Sequence, residues 1–152
     1  LKAMVNHQVT NADEYLADFY QRFEKNALVI DLWFSVQASS SHVTTEDIKS
    51  LLVHDDFDWN NPNRIRSVIS AFTSQPSVMW TSAGLDIYIG VIKTLDKTNP
   101  VLASRLLQVL ARWYTLVEPS RQMAQKKLIK LQQQVASKNV LETLESVLGA
   151  EG

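Results

Sequence analysis

Apolar residues recur every three or four positions along most of the chain, a spacing that predicts amphipathic helices. In the segment 12–25 they are Tyr15, Leu16, Phe19, Tyr20 and Phe23. The segment 27–38 is apolar on several faces, which predicts a central, buried helix in which Trp33 and Phe34 are structural residues. Helices are also predicted to begin at Thr44-Thr45 and to cover the segments 62–72, 82–96, 100–116, 119–136 and 139–148.

Residues that satisfy free backbone groups mark several of the helix boundaries. Asn11 precedes the helix 12–25 and is predicted to cap it, and Thr44 with Asp47 has the pattern of a capping box. Gly149 follows the last helix and is predicted to be its C-cap. Helix starts recur roughly every sixteen to twenty residues, so a pair of helices has about the length of an armadillo or HEAT repeat.

These elements predict an all-α fold, an armadillo- or HEAT-like right-handed superhelix of stacked antiparallel helical hairpins. No segment has the strict alternation typical of strands, and four glycines and four prolines are too few for the turns of an all-β domain. No linker or low-complexity segment interrupts the chain. Residues 1–152 are therefore predicted to form a single helical-repeat domain.

Two helix starts share an Asn-Pro pattern, at Asn61-Pro62 and at Asn99-Pro100. Asparagine accepts hydrogen bonds from the first-turn N–H groups, and proline at the first helical position needs no partner for a missing N–H. Each start is followed in the second helical turn by an arginine, Arg66 in one helix and Arg105 in the other. The two starts lie 38 residues apart, which predicts two guanidinium groups at one end of two stacked hairpins.

The composition of the chain limits the classes of molecule that it is expected to bind. The 152 residues include 15 basic and 16 acidic side chains, and a formal net charge of -1 provides no overall field for nucleic acid or an anionic membrane. No apolar run approaches the roughly 18 residues of a membrane span. The chain has no cysteine, which excludes thiol chemistry and suits a reducing compartment. Neither nucleic acid nor a membrane is therefore expected as a partner.

The sequence carries no recognisable active site. It has no H-E-x-x-H pair, no glycine-rich phosphate loop and no G-x-S-x-G element. The cluster from His54 to Asp58 lacks the glycine and terminal glutamate of a calcium loop, so a solvated loop is favoured over a metal site. Lys126, Lys127, Lys130 and Lys138 are interpreted as a solvated basic face of an outer helix rather than as a nucleic-acid surface. No catalytic residue and no metal ligand are predicted.

Three ordered motifs resemble a known family. They are the segment from Asn26 to Phe34, the segment from Asn61 to Arg66, and Asn99-Pro100 followed by the segment from Ala103 to Leu106. In order and spacing they resemble the C-terminal domain of bacterial aminopeptidase N (alanyl aminopeptidase), a zinc metallopeptidase of the gluzincin type. The resemblance extends from about Asn11 to the C-terminus.

The resemblance implies a role within a larger enzyme. In that family an armadillo-like C-terminal domain packs over the catalytic domain and encloses the substrate cavity, whereas the zinc and the H-E-x-x-H helix belong to a preceding domain. It also implies that Arg66 and Arg105 face this cavity, that peptides are the substrates and that the enzyme is cytoplasmic. The first residues read like the end of a helix, so the chain is interpreted as an excerpt. Because it lacks the H-E-x-x-H helix, it is predicted to be inactive in isolation and to hold no cofactor of its own.

The chain departs from the family pattern at two places, and one other function remains open. Thr81-Ser82-Ala83-Gly84-Leu85 stands where the family commonly has Asp-Gly-Ser-Gly-Tyr, and Pro100-Val101 replaces Pro-Gln. The other function is a stand-alone helical-repeat adaptor that binds a peptide or protein in its concave groove. For Arg66 and Arg105, the alternative to a cavity role is an ordinary surface or interhelical ion pair.

Overall fold

A computed structural model of the protein describes residues 1–7 and 10–150. Over these residues it contains helices and no strand, which confirms the predicted all-α class. The chain divides into two compact units, Leu1–Met79 and Trp80–Gly152. Within the described ranges, no helix combines the length and the apolar character that a membrane span needs.

The first unit is built around its third helix. Its helices are α1 (Lys2–Asn6), α2 (Ala12–Phe23), α3 (Ala27–Ala38), α4 (Thr45–Leu52), α5 (Pro62–Phe72) and α6 (Pro76–Met79). Helix α3 packs against α1, α2 and α4 and most extensively against α5. Ile30, Phe34 and Ala38 of α3 are almost completely buried. The central position of the helix is therefore confirmed, but Leu28 and Leu32 are 77% and 54% exposed, so its burial on all faces is not.

The capping that the sequence predicts is observed at the start of α4 but not at the start of α2. The Thr44 hydroxyl accepts a hydrogen bond from the Asp47 N–H at 3.2 Å, and the Asp47 carboxylate accepts one from the Thr44 N–H at 2.8 Å, which completes the predicted capping box. Asn11 precedes α2 but has a left-handed backbone, with φ of 70°, and makes no side-chain cap. The predicted Asn11 side-chain cap is wrong, because capping residues typically have an extended backbone and Asn11 has a left-handed one.

The second unit consists of α7 (Ser82–Thr98), α8 (Pro100–Leu107), a 3₁₀ helix (Gln108–Thr115), α9 (Ser120–Gln132) and α10 (Lys138–Leu148). Helix α8 packs against α7, the 3₁₀ helix and α10. Two buried aromatic side chains donate hydrogen bonds to backbone carbonyls of neighbouring elements. The Tyr88 hydroxyl donates to the Leu106 carbonyl at 2.8 Å, and the Trp113 indole donates to the Val147 carbonyl at 2.8 Å.

The single helix predicted over 100–116 changes its winding after Leu107. A 3₁₀ helix has three residues per turn, so side chains three positions apart lie on one face. Leu107, Leu110 and Trp113 have this spacing and are all fully buried. The tighter winding therefore turns all three toward the core, whereas an α-helix would rotate them progressively away from one another. At the end of the unit Gly149 is the C-cap of α10, as predicted, although its φ of -82° is not left-handed.

Asp96 joins α7 to the start of α10. Its carboxylate accepts hydrogen bonds from the Ala136 N–H at 2.9 Å, the Ser137 N–H at 3.1 Å and the Ser137 hydroxyl at 2.5 Å. Desolvation by burial acts to raise the pKa of Asp96, but the hydrogen bonds from Ser137 and Ala136 outweigh it, so the pKa lies below its ordinary value. The charged form of Asp96 is therefore the one that stabilises this turn.

We expect Asp96→Asn to lower the free energy of unfolding by about 1.5–3 kcal/mol near neutral pH, since it removes hydrogen bonds to a charged acceptor. Because the pKa is depressed in the folded state, this contribution is present above the unfolded value of about 4 and is lost as the pH falls through the folded value. Urea unfolding at several pH values measures the difference between parent and variant. A difference that stays constant down to about pH 3 would contradict the role of the charge.

Candidate functional site

The first Asn-Pro helix start has the predicted geometry. The Asn61 carboxamide oxygen accepts hydrogen bonds from the Asn63 N–H at 3.0 Å and the Arg64 N–H at 3.3 Å, and Pro62 is the first residue of α5. Arg66 lies in the second turn and is half-buried. Its guanidinium forms no ion pair and no side-chain hydrogen bond with any residue in the ranges 1–7 and 10–150.

The second start repeats this geometry in the other unit. The Asn99 carboxamide oxygen accepts a hydrogen bond from the Leu102 N–H at 3.1 Å, and Pro100 begins α8. Arg105 lies in the last turn of α8 and is exposed. Among the residues that the structure describes, no carboxylate pairs with its guanidinium. The alternative interpretation of Arg66 and Arg105 as members of ordinary ion pairs therefore has no support within the described chain.

The burial of Arg64, two residues before Arg66, was not predicted from the sequence. Arg64 is 7% exposed, and its Nε donates to the Asp31 carboxylate of α3 at 2.5 Å. Its Nη1 donates to the Asp56 carbonyl, and the guanidinium carbon lies 5.2 Å from the centre of the Phe34 ring. Arg64 thus fixes α5 to α3 and to the loop after α4. The sequence did contain a signal, because Asp31 is the single charged residue of a largely apolar helix, and a buried carboxylate requires a partner.

The His54–Asp58 cluster takes part in loop structure. The Nδ1 atom of His54 accepts a hydrogen bond from the Asp56 N–H at 3.1 Å, and the imidazole packs at 5.1 Å from the Trp33 ring. The Asp56 carboxylate accepts a hydrogen bond from the Tyr20 hydroxyl, which raises the pKa of Tyr20 to about 12. Across residues 1–7 and 10–150, no three side chains of metal-binding type are grouped as a site.

The departure at Thr81–Leu85 lies at the start of α7. The Thr81 hydroxyl accepts a hydrogen bond from the Gly84 N–H at 3.1 Å and caps the helix. Gly84 and Leu85 are buried within the first turn. The residues that replace the family's Asp-Gly-Ser-Gly-Tyr therefore form a regular, side-chain-capped helix start in this chain.

Comparison with known proteins decides the family. A family model described as a domain of unknown function (DUF3458_C) with ARM repeats matches residues 1–149. The chain belongs to this family. Membership in the DUF3458_C family confirms the predicted repeat-type helical fold, since ARM repeats are the architecture that the sequence periodicity predicts.

Relatives of this DUF3458_C chain are aminopeptidases. Aminopeptidase N of Haemophilus influenzae is 32% identical over 142 residues, which are 90% of this chain and 16% of the relative. Aminopeptidase N of Escherichia coli is 35% identical over 116 residues, 74% of this chain and 13% of the relative. A crystal structure of Legionella pneumophila aminopeptidase A in complex with aspartic acid matches with a TM-score of 0.90 and 26% identity, over 97% of this chain and 18% of that one. The predicted resemblance is confirmed, and the chain spans less than a fifth of each relative.

Proposed function

We propose that residues 1–152 form the C-terminal helical domain of a zinc-dependent aminopeptidase N that removes N-terminal amino acids from peptides. In this proposal the domain caps the active-site cavity and controls substrate access, while the zinc and the catalytic residues belong to the catalytic domain of the same polypeptide. The separate chain is then inactive, and the intact enzyme is cytoplasmic. This chain matches only 13–18% of the length of its aminopeptidase relatives. That small share supports a domain of a larger enzyme over a stand-alone adaptor.

Control of access by a helical domain has a simple physical basis. An aminopeptidase must admit the end of a chain and exclude folded proteins, and a cavity closed by a helical-repeat domain selects by size. Closure also removes water, which strengthens electrostatic interactions around the reacting groups. The described residues need only supply the wall of such a cavity and a few polar groups that position the substrate.

Arg66 and Arg105 are the proposed cavity-facing residues. Each guanidinium follows a helix start whose asparagine cap fixes the first turn, and each lacks an ion-pair partner among the described residues. This lack of a partner is the observation on which the proposal depends. A guanidinium free of internal partners binds a peptide carboxylate through two parallel hydrogen bonds or donates to backbone carbonyls beyond the scissile bond.

In the intact enzyme, Arg66→Ala and Arg105→Ala should each lower kcat/KM for a tripeptide about ten- to hundredfold, equivalent to about 1.5–3 kcal/mol of transition-state binding. A single-residue arylamide should be affected much less, because it has neither backbone nor carboxylate beyond the scissile bond. Arg→Lys should recover only part of the loss, since an ammonium group does not reproduce the planar fork. Steady-state kinetics with the two substrates measures this selectivity.

Arg22→Ala is the matched control, because Arg22 is an exposed arginine that pairs with Asp18 at 2.9 Å on α2. It should leave both substrates at parent rates. A purely structural role for Arg66 or Arg105 would lower both rates together with the melting temperature. Parent values of kcat/KM for both substrates in both alanine variants would show that these arginines do not contact substrate.

A further inference from the structure

Helices α7 and α9 of the second unit enclose a groove with a volume of about 340 Å³. We call it the lysine groove and define it by Gly90, Lys93, Lys126, Lys127, Lys130 and Gln134. The buried side chain of Ile89 adds an apolar patch, and Asp86 lies at the rim. The groove includes three of the four lysines that the sequence analysis interpreted as a solvated face. The fourth, Lys138, lies instead at the start of α10, where it faces Glu142 at 3.6 Å.

Most of the positive charge in the lysine groove is not neutralised. Lys127 pairs with Asp86 at 2.5 Å. Lys93, Lys126 and Lys130 form no ion pair with any residue in the part of the chain that the structure describes. Lys126 and Lys130 are one helical turn apart, a spacing at which like charges repel. An anion bound in the groove would relieve this repulsion.

Gly90 gives the groove an open floor. It lies in the middle of α7, where glycine is a poorer helix former than alanine. A Cβ atom built at Gly90 meets no heavy atom within 4 Å. Packing inside the second unit therefore does not require a glycine at this position. Its effect is to leave the helix backbone accessible between the lysines, as happens where another backbone approaches closely.

The two units carry formal charges of opposite sign, and the unit that contains the lysine groove is the positive one. The second unit contains nine basic and six acidic residues, a formal charge of +3, whereas the first contains six basic and ten acidic residues, a formal charge of -4. The attraction for anions is thus a property of the second unit that the total of -1 conceals. The lysine groove concentrates four of those nine basic residues.

We propose that the lysine groove binds an acidic peptide segment, independently of the proposed role of Arg66 and Arg105. Lys93, Lys126 and Lys130 would bind carboxylates of the segment, and the missing side chain at Gly90 would let its main chain approach α7. The Gln134 carboxamide both donates and accepts, as a peptide main chain requires. The Asp86 carboxylate pairs with Lys127, so it does not discriminate between anions. The open backbone at Gly90 and the Gln134 carboxamide are the features that favour a peptide main chain over a nucleic acid or a lipid surface.

Fluorescence anisotropy with a labelled hexaglutamate peptide tests the proposal on the 152-residue protein. We expect saturable binding that weakens as salt is added. Gly90→Leu fills the groove without changing any charge and should weaken binding about tenfold or more. Lys126→Gln with Lys130→Gln should have an effect of about the same size. The matched control, Arg112→Gln with Lys138→Gln, removes the same charge from exposed positions of the same unit outside the groove and should change affinity less than about twofold.

Several results would overturn the proposal. Equal weakening by the two double variants would mean that diffuse charge attracts the peptide. Unchanged binding by a folded Gly90→Leu variant would place the peptide elsewhere, and if that variant does not fold, the comparison of the two double variants decides. Groove-dependent binding of tripolyphosphate or of phosphatidylserine vesicles, with no binding of hexaglutamate, would assign the groove to a different ligand. When the same groove variants are made in the intact enzyme, parent values of kcat/KM for both substrates alongside the loss of hexaglutamate binding separate this proposal from the proposed function.

Discussion

Trp33→Ala should lower the free energy of unfolding by about 3–5 kcal/mol, because it removes a large and mostly buried side chain. Trp33 is 8% exposed, and its ring centre lies 5.1 Å from each of the Tyr20, Phe34 and His54 rings. Its indole N–H also donates to the Leu16 carbonyl at 3.0 Å, which ties α2 to α3. The substitution therefore opens a cavity and removes the indole hydrogen bond that joins α3 to α2.

Urea unfolding, monitored by far-ultraviolet circular dichroism, measures the loss of unfolding free energy. This signal does not depend on the tryptophan fluorescence that the substitution removes. Trp33→Phe should fall between parent and alanine variant, because phenylalanine keeps most of the volume but cannot donate to Leu16. Leu28→Ala is the control in the same helix, since Leu28 is 77% exposed, and it should stay within about 0.5 kcal/mol of the parent. A Trp33→Ala midpoint no lower than that of the control would show that the aromatic cluster contributes little.

Short-range sequence signals, namely helix caps and apolar periodicity, predicted the helices whose bounds depend on those signals. The bounds of α3 and α5 coincide with the segments 27–38 and 62–72, because an asparagine cap begins each helix and an apolar period continues it. The capping box at Thr44 was predicted for the same reason, since both partners lie within four residues. The all-α class and the resemblance to aminopeptidase N followed from features of this kind, which need no knowledge of which helices meet.

Features that depend on contacts between distant segments were missed. The change to a 3₁₀ helix after Leu107 follows from burying Leu107, Leu110 and Trp113 together, and periodicity within the segment does not reveal that requirement. The lysine groove needs Lys93 of α7 and Lys130 of α9, separated by 37 positions, to lie on facing helices. Sequence periodicity placed Lys126, Lys127 and Lys130 on one face but contained no sign of what that face meets.

The candidate site shows the same division between local and distant signals. The Asn-Pro starts and the positions of Arg66 and Arg105 were predicted, since a cap and the residues of the next turn lie close in sequence. The buried partner of Asp31 was not identified, although Arg64 stands two residues before Arg66. Arg64 and Arg66 lie on the same helix but differ in their surroundings. Arg64 is buried in the core and paired with a carboxylate, whereas Arg66 forms no ion pair among the described residues.

Arg64→Met should lower the free energy of unfolding by about 3–5 kcal/mol, because it leaves the Asp31 carboxylate, whose side chain is 16% exposed, without its counter-charge. The Asp56 carbonyl also loses a donor. Adding Asp31→Leu should recover much of the loss, since an apolar pair of similar volume often replaces a buried ion pair at little cost. Urea unfolding of the parent, the single variant and the double variant measures this recovery.

The surface pair Arg22–Asp18 is the control for the Arg64 experiment, and Arg22→Ala should cost only about 0–1 kcal/mol because both side chains are exposed. In the intact enzyme the Arg64 variant should lower the rates for peptide and arylamide together with the melting temperature. Arg66→Ala, two residues further along α5, should instead discriminate between the two substrates at a parent melting temperature. A double variant no more stable than Arg64→Met alone would mean that Arg64 stabilises the unit through Asp56 and Phe34 and not through Asp31.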